Sequence, residues 1–166
     1  MEEHLQHIRT VPSLLRQYKL KAKGSKCSWG QQRVDYLGHI ISKDGVEADP
    51  KKIQSMVEWP LPKTTKELRG FLDLTGYYRR FVANYGKVAA PLTALLQEGA
   101  FIWMDKAKET FEAMKKAMIL APVFALADFT KPFTIECNVS GVGIGAVLMQ
   151  EGRLVAYMSK ALSEHS

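Results

Sequence analysis

The stretch TTKELRGFLDLTGYYRRFVANYGKVAAPL, Thr64 to Leu92, decides how the rest of this chain is read. Thr64 offers a side-chain oxygen to the free N–H groups of a helix start, and Glu67 completes a capping box, so a helix should begin near Thr65. Leu68, Phe71, Leu72 and Thr75 recur at i, i+3, i+4 and i+7, a stripe that has to be buried. Arg69, Asp73 and Tyr77 recur at i, i+4 and i+8 and line a second stripe, with Arg79 and Arg80 beyond its end. Asn84 and Gly86 can break the helix, and Pro91, which tolerates only a first turn, should start another through Leu95 and Leu96. The unit reads as a small helical hairpin. Its charged face has two readings: a solvated surface with the tyrosines in the core, or a surface that meets a polyanion.

Composition favours neither strongly. The 166 residues suffice for one domain or two small ones, and 46% apolar residues is ordinary for a globular protein. Lys and Arg number 23 against 17 Asp and Glu, a net charge of +6, and the basic excess lies before about residue 98. Cys27 and Cys137 form no C-x-x-C pair, so two reduced thiols are expected rather than a disulfide scaffold or a zinc site. No run approaches the roughly 18 to 20 apolar residues of a membrane span, and MEEHLQHIRT lacks a signal-peptide pattern. An intracellular chain, cytoplasmic or nuclear, with no membrane partner is the expectation.

Upstream of the hairpin, Leu5, Ile8, Val11 and Leu15 predict a helix over residues 2 to about 18, flawed by Pro12 in its middle. His4 and His7 share an edge of that stripe but have no third metal ligand nearby. After Gly24, the segments KCSW and VDYLGHIIS predict two short strands, the second ending in the turn SKDG. Asp49-Pro50 should cap and open a short helix through Ile53, Met56 and Val57, and Trp59 to Lys63 is a stiff connector.

Downstream, QEGAFIWMD is expected to be a loop that tucks in Phe101 and Trp103, with Asp105 as the cap of the next helix. Ala107, Phe111, Met114 and Met118 repeat at helical spacing and read as core, and Ala121-Pro122 ends that helix. PFTIECN, IGAVLMQ and RLVAYMSKAL read as three consecutive strands, an antiparallel meander. Gly141, Gly143 and Gly145 fit neither a dinucleotide fingerprint nor a P-loop, and read as turn and packing glycines. The fold class is α+β.

The strings FLDLTGYYRRF, WPLPKTTKELRGFL and VAAPLTALL resemble the thumb of Ty3/gypsy-type retrotransposon reverse transcriptases, relatives of retroviral polymerases. YLGH, Tyr36 to His39, resembles their primer grip, a hairpin that presses the primer's phosphates toward the active site. The resemblance thus implies nucleic-acid contacts from Leu37, Gly38 and His39 and from Arg69, Asp73, Tyr77, Arg79 and Arg80. Gly38 would let backbone approach a phosphate, and His39 would donate a hydrogen bond to it. A plain hairpin with a glycine at a bulge is the other reading of the same residues. FTIECNVSGVGIGAVL with VAYMSKAL resembles the opening of the ribonuclease H domain fused after the thumb. The implied division is palm end over 1–48, helical thumb and connecting helix over 49–121, and the start of a ribonuclease H-like domain over 122–166.

Both family activities need paired carboxylates that hold two magnesium ions. The polymerase pair would fall upstream of Met1, and the first ribonuclease H acid is matched by Asn138, which is neutral and cannot supply that charge. Glu136 shares its strand face but is a single carboxylate. No catalytic residue, metal site or cofactor is therefore expected in this chain alone, although it resembles an RNA-directed DNA polymerase. Asp73 stands at a family glycine position on the helix face that tracks the duplex, where its charge should weaken binding. The expected partners are an RNA–DNA or DNA duplex, with the remaining palm and ribonuclease H segments. The alternative is a decayed or repurposed remnant acting as a protein-interaction module. An active ribonuclease H and a sequence-specific helix-turn-helix regulator are the readings the residues support least.

Overall fold

The computed structural model describes residues 2–141 and 143–162, which divide into two units, Met1–Val34 and Asp35–Ser166. In the first, α1 (Glu2–Gln17) carries Glu2 and Glu3 at its positive end and Arg16 at its negative end, matching the helix dipole. The expected flaw at Pro12 does not break it: the helix runs on both sides of the proline, which removes one N–H donor from an element with no buried residue. Thr10 and Ser13 beside it donate their hydroxyls to the carbonyls of Gln6 and Arg9, at 2.9 and 2.8 Å. The strand expected at KCSW is absent. A single 3-10 turn, Gly24–Lys26, stands there, closed by the Cys27 N–H on Gly24 O.

VDYLGHIIS, expected as one strand, is two. β1 (Arg33–Tyr36), within which the unit boundary falls, and β2 (His39–Ser42) flank Leu37 and Gly38, both at positive φ, +47° and +74°. Two such residues make the tight turn whose twist suits a hairpin. A third strand, β3 (Gly45–Ala48), pairs antiparallel with β2 and completes a sheet ordered β1-β2-β3. Then come α2 (Pro50–Val57), capped by Asp49, and α3 (Thr65–Tyr77). Thr64 Oγ1 accepts from the Glu67 N–H at 3.2 Å, while the Glu67 carboxylate closes the box on the N–H of Lys63.

After a 3-10 turn, Arg79–Phe81, helix α4 spans Tyr85–Ala94. It starts six residues before the expected Pro91, because Asn84 at φ +55° turns the chain and its carbonyl accepts the Val88 N–H. Ser159 Oγ accepts the Gly86 N–H at 2.8 Å and holds that first turn, so Pro91 sits inside the helix and costs it one bond. Helix α5 (Asp105–Ile119) takes Met104, not Asp105, as its cap residue, which leaves Asp105 in the first turn.

The core forms where these helices meet. Phe71 of α3 and Phe111 of α5 lie 4.6 Å apart between ring centroids, and both are buried with Met56, Leu68, Leu92, Met114 and Met118. Each such side chain contributes about 1.5 to 3 kcal/mol relative to exposure. The connector is tied down by Trp103, whose indole N–H donates to Pro62 O, and by Lys115, whose ammonium donates to Trp59 O.

Strands β4 (Thr134–Ser140), β5 (Gly143–Gln150) and β6 (Arg153–Ala161) form the expected antiparallel meander, with a register shift at Leu148/Met149. The segment before the meander is part of the core. Phe124 is fully buried, stacks on Phe81 at 4.7 Å and exchanges both backbone hydrogen bonds with Val46, while the Ala125 N–H reaches Leu154 O. Gly45 has φ +138°, and a Cβ there would collide with the Phe124 carbonyl.

Candidate nucleic-acid interface

The basic stripe and the YLGH turn meet at the end of α3. The hydroxyl of Tyr77 donates to Leu37 O and that of Tyr78 to Gly38 O, each at 2.6 Å. Two consecutive tyrosines thus hold two consecutive carbonyls of the β1–β2 turn. They can do so because the ends of their side chains diverge: Tyr77 stays 53% exposed, whereas Tyr78 is 1% exposed. Gly38 O also accepts the Asp49 N–H at 3.1 Å, so the cap of α2 is fixed to the same turn. Gly38 is required twice over. Its φ of +74° disfavours an L side chain, and a Cβ would sit 2.7 Å from the Tyr78 hydroxyl.

Burial pushes the Tyr78 hydroxyl up from an ordinary value of 10.0 to about 12, with smaller contributions from Asp49 and Tyr77. The phenol stays neutral and keeps its proton in the bond to Gly38. Tyr85 is raised too, first by burial. Its hydrogen bond with Thr75 and the nearby Arg79 charge oppose that shift, and Asp73 adds to it. Tyr85 therefore senses both Arg79 and Asp73.

His39 has a different place from the one its motif implied. Its ring lies against Tyr77, Tyr78 and Phe81 at centroid distances of 5.4, 5.5 and 5.6 Å, with Nδ1 2.9 Å from Leu37 O. Its Nε2 is buried with no hydrogen-bond partner among the described residues. The nitrogen expected to serve a phosphate is enclosed, and the ring packs the turn against α3. Leu37, 71% exposed, is the part of the turn that projects outward.

Arg69 and Asp73 on the α3 stripe, and Arg79 and Arg80 beyond its end, are all exposed. Arg80 lies 4.9 Å over the Phe81 ring, which steers its guanidinium by a cation–π contact. Tyr78 escaped the sequence reading as a functional residue. Its partner, Gly38 O, lies forty residues away along the chain, so nothing local to the doublet Tyr77-Tyr78 marks it.

Asn138 stands in β4 opposite Gly145, which in turn pairs with Ser159. Asn84 lies over this row: its Oδ1 is 3.1 Å from where a Cβ on Gly145 would be. A cleft of about 170 Å³ opens there, lined by Asn84, Lys87, Asn138 and Ser159 among others, with no carboxylate in its wall. Among the described residues no three His, Cys, Asp or Glu side chains gather as metal ligands. A neutral amide beside Glu136 alone does not fit a pair of magnesium ions. No helix is long and apolar enough to cross a membrane among the described residues.

Known proteins share this fold. The profile of an RNase H-like domain found in reverse transcriptase matches residues 103–166. Over 131 residues the chain is 50% identical to an uncharacterised mitochondrial protein of Arabidopsis thaliana, covering 78% of this chain and 83% of that one. It is 37% identical over 167 residues to the retrovirus-related Pol polyprotein of transposon 297 from Drosophila melanogaster. That match covers 99% of this chain and 16% of the polyprotein. The Pol polyprotein of transposon gypsy from the same fly is 34% identical over 98% of this chain and 17% of its own length. The fold matches a foamy viral protease-reverse transcriptase in complex with double-stranded DNA at a TM-score of 0.89. Identity there is 22%, over 98% of this chain and 30% of that one. The same viral enzyme in complex with an RNA/DNA hybrid matches at 0.87, with 22% identity over 99% of this chain and 23% of that one. With its helices, its meander and these relatives in view, the chain carries, over residues 103–166, the RNase H-like domain found in reverse transcriptase, and along its whole length it is homologous to retrotransposon Pol polyproteins, of which it spans about a sixth.

Proposed function

We propose that this chain grips template-primer nucleic acid, an RNA–DNA or DNA duplex, through phosphate contacts and without base specificity, and that it is not catalytic alone. The observation that carries this reading is the double tyrosine tether. It fixes the Leu37–Gly38 turn to the end of α3, the helix that carries the exposed Arg69 and is followed by the exposed Arg79 and Arg80, so turn and helix need not be ordered against each other on binding. In this reading residues 1–48 are the palm end, 49–121 the thumb and 122–166 the opening of the ribonuclease H-like domain. Turn and thumb hold the backbone. Magnesium chemistry belongs to segments of a longer polyprotein, because Asn138 and Glu136 do not fit it.

A specific observation favours a second reading. Asp73 places a carboxylate on the exposed stripe between Arg69 and Tyr77, and Asn138 removes the acid at the ribonuclease H position, as in a remnant that keeps the fold as a protein-interaction module. Fluorescence anisotropy of a labelled RNA–DNA primer-template across a salt series separates the two. Gripping predicts binding that falls with salt, tightens in Asp73→Gly and Asp73→Asn, and weakens in Arg79→Ala/Arg80→Ala. Each arginine–phosphate pairing that a substitution removes should make the log–log salt slope shallower by about 0.9. If the native chain binds no duplex at low salt, the gripping reading fails and the remnant reading stands.

A further inference from the structure

Helix α4 has no cap of its own. Asn84 precedes it at φ +55° and makes no side-chain bond to its first turn, where the N–H groups have no partner within the helix. One of them, on Gly86, donates to Ser159 Oγ at 2.8 Å. Strand β6 thus supplies, from 73 residues away, the acceptor that an N-cap side chain ordinarily provides.

Tyr85, the first residue of that turn, reaches the other way. Its hydroxyl lies 2.9 Å from Thr75 Oγ1 and 3.4 Å from Leu72 O. Thr75 is fully buried in the last turn of α3 and donates to Phe71 O at 3.0 Å. The start of α4 is therefore fastened to the same helix end from which Tyr77 and Tyr78 hold the Leu37–Gly38 turn. Arg79 belongs to this group. It lines one cleft with Tyr85, Gly86 and Ser159, and its charge offsets part of the rise that burial imposes on the Tyr85 hydroxyl. Arg80 has a different guide, the Phe81 ring 4.9 Å from its guanidinium. The two neighbouring arginines are directed by different walls.

We propose that Ser159 and Tyr85 are positioning residues for Arg79 in the gripping of a duplex, an inference that rests on the gripping reading. Ser159 builds the first turn of α4, that turn seats Tyr85 on Thr75, and Tyr85 forms the wall along which Arg79 is aimed. Neither residue touches the nucleic acid. A serine of the C-terminal sheet thereby sets how well a thumb arginine is held before binding. Without it Arg79 still reaches its phosphate but has first to be ordered, so affinity falls while the number of phosphates neutralised stays the same.

Anisotropy of a labelled RNA–DNA primer-template across a salt series tests this on the whole chain. Ser159→Ala and Tyr85→Phe should each weaken binding about two- to tenfold with the log–log salt slope unchanged. Arg79→Ala should weaken binding and also make the slope shallower by about 0.9. Ser159→Thr, which keeps a hydroxyl, should restore affinity. The deciding result is a pair of cycles: the effect of Ser159→Ala should vanish in Arg79→Ala protein and persist in Arg80→Ala protein. If Ser159→Ala fails to fold by circular dichroism, Tyr85→Phe, which keeps the ring, carries the same cycles. Native affinity in both Ser159→Ala and Tyr85→Phe overturns the proposal and leaves the gripping reading intact. An equal loss in the Arg79→Ala and Arg80→Ala backgrounds overturns it too, because the residues then serve the fold at large. A native chain that binds no duplex at low salt overturns the gripping reading and this inference with it.

Discussion

Replacing Gly38 by alanine tests the joint between turn and helix, because two independent penalties meet at one methyl group. At φ +74° an L side chain costs about 1 to 2 kcal/mol. The new Cβ would lie 2.7 Å from the Tyr78 hydroxyl, which must swing away and give up its 2.6 Å bond to Gly38 O. That removes about 1 kcal/mol and strands a buried hydroxyl. Gly38 O itself keeps the Asp49 N–H, so it is not orphaned. The total is about 3 kcal/mol for Gly38→Ala, and about 1 kcal/mol for Tyr78→Phe, which loses only the hydrogen bond. In the double variant the phenyl ring makes room for the methyl and no hydroxyl is stranded. It should therefore lose about 2 kcal/mol, less than Gly38→Ala alone. Urea unfolding followed by tryptophan fluorescence measures all three, since Trp59 and Trp103 pack against the core. Additive losses, or a Gly38→Ala cost under about 1 kcal/mol, would refute the tether as described.

Alkaline titration should expose Tyr78. Its folded pKa of about 12 lies above the unfolded 10.0, so its contribution is fully present below pH 10 and is lost as pH rises toward 12. Thermal midpoints across that window should fall less steeply in Tyr78→Phe than in the native chain. Phe71→Ala, at a fully buried ring packed on Phe111, should cost about 3 to 5 kcal/mol by urea titration. Thr64→Ala should cost about 1 kcal/mol by the same measurement, because only the Glu67 N–H loses its partner while the Glu67 bond to Lys63 remains.

What was legible in the sequence was what local chemistry decides. The capping signals of α2 and α3, the buried stripe of α5 and the three strands of the meander each follow from residues near one another in the chain. The rest depended on distant partners. α4 begins at Tyr85 because Ser159, on another element, fixes its first turn, and nothing between Asn84 and Pro91 reports that hydroxyl. β3 was missed because GVEA is short and mixed, and it becomes a strand by pairing with β2 and with Phe124. In the candidate site the shared stripe of Arg69, Asp73 and Tyr77 follows from helical spacing alone. The enclosure of His39 does not, because it depends on Tyr77, Tyr78 and Phe81, about forty residues away along the chain. Tyr78 itself could be recognised only once Gly38 was seen to need a neighbour.

The Phe124–Ala125 segment bears on how the protein acquires its shape over time. Its bonds to Val46 on one side and to Leu154 on the other join parts of the chain made early and late. Neither bond can form by local folding, and both carry the slow closure of long loops. During synthesis the β2–β3 hairpin must wait, one edge unsatisfied, until Phe124 emerges to bridge it, and Leu154 locks the bridge later still. A cut placed at this segment would therefore not release two finished modules. It would leave the first with a hole where Phe124 belongs, and an exchange of the C-terminal sheet between relatives would have to carry this strap with the helical part.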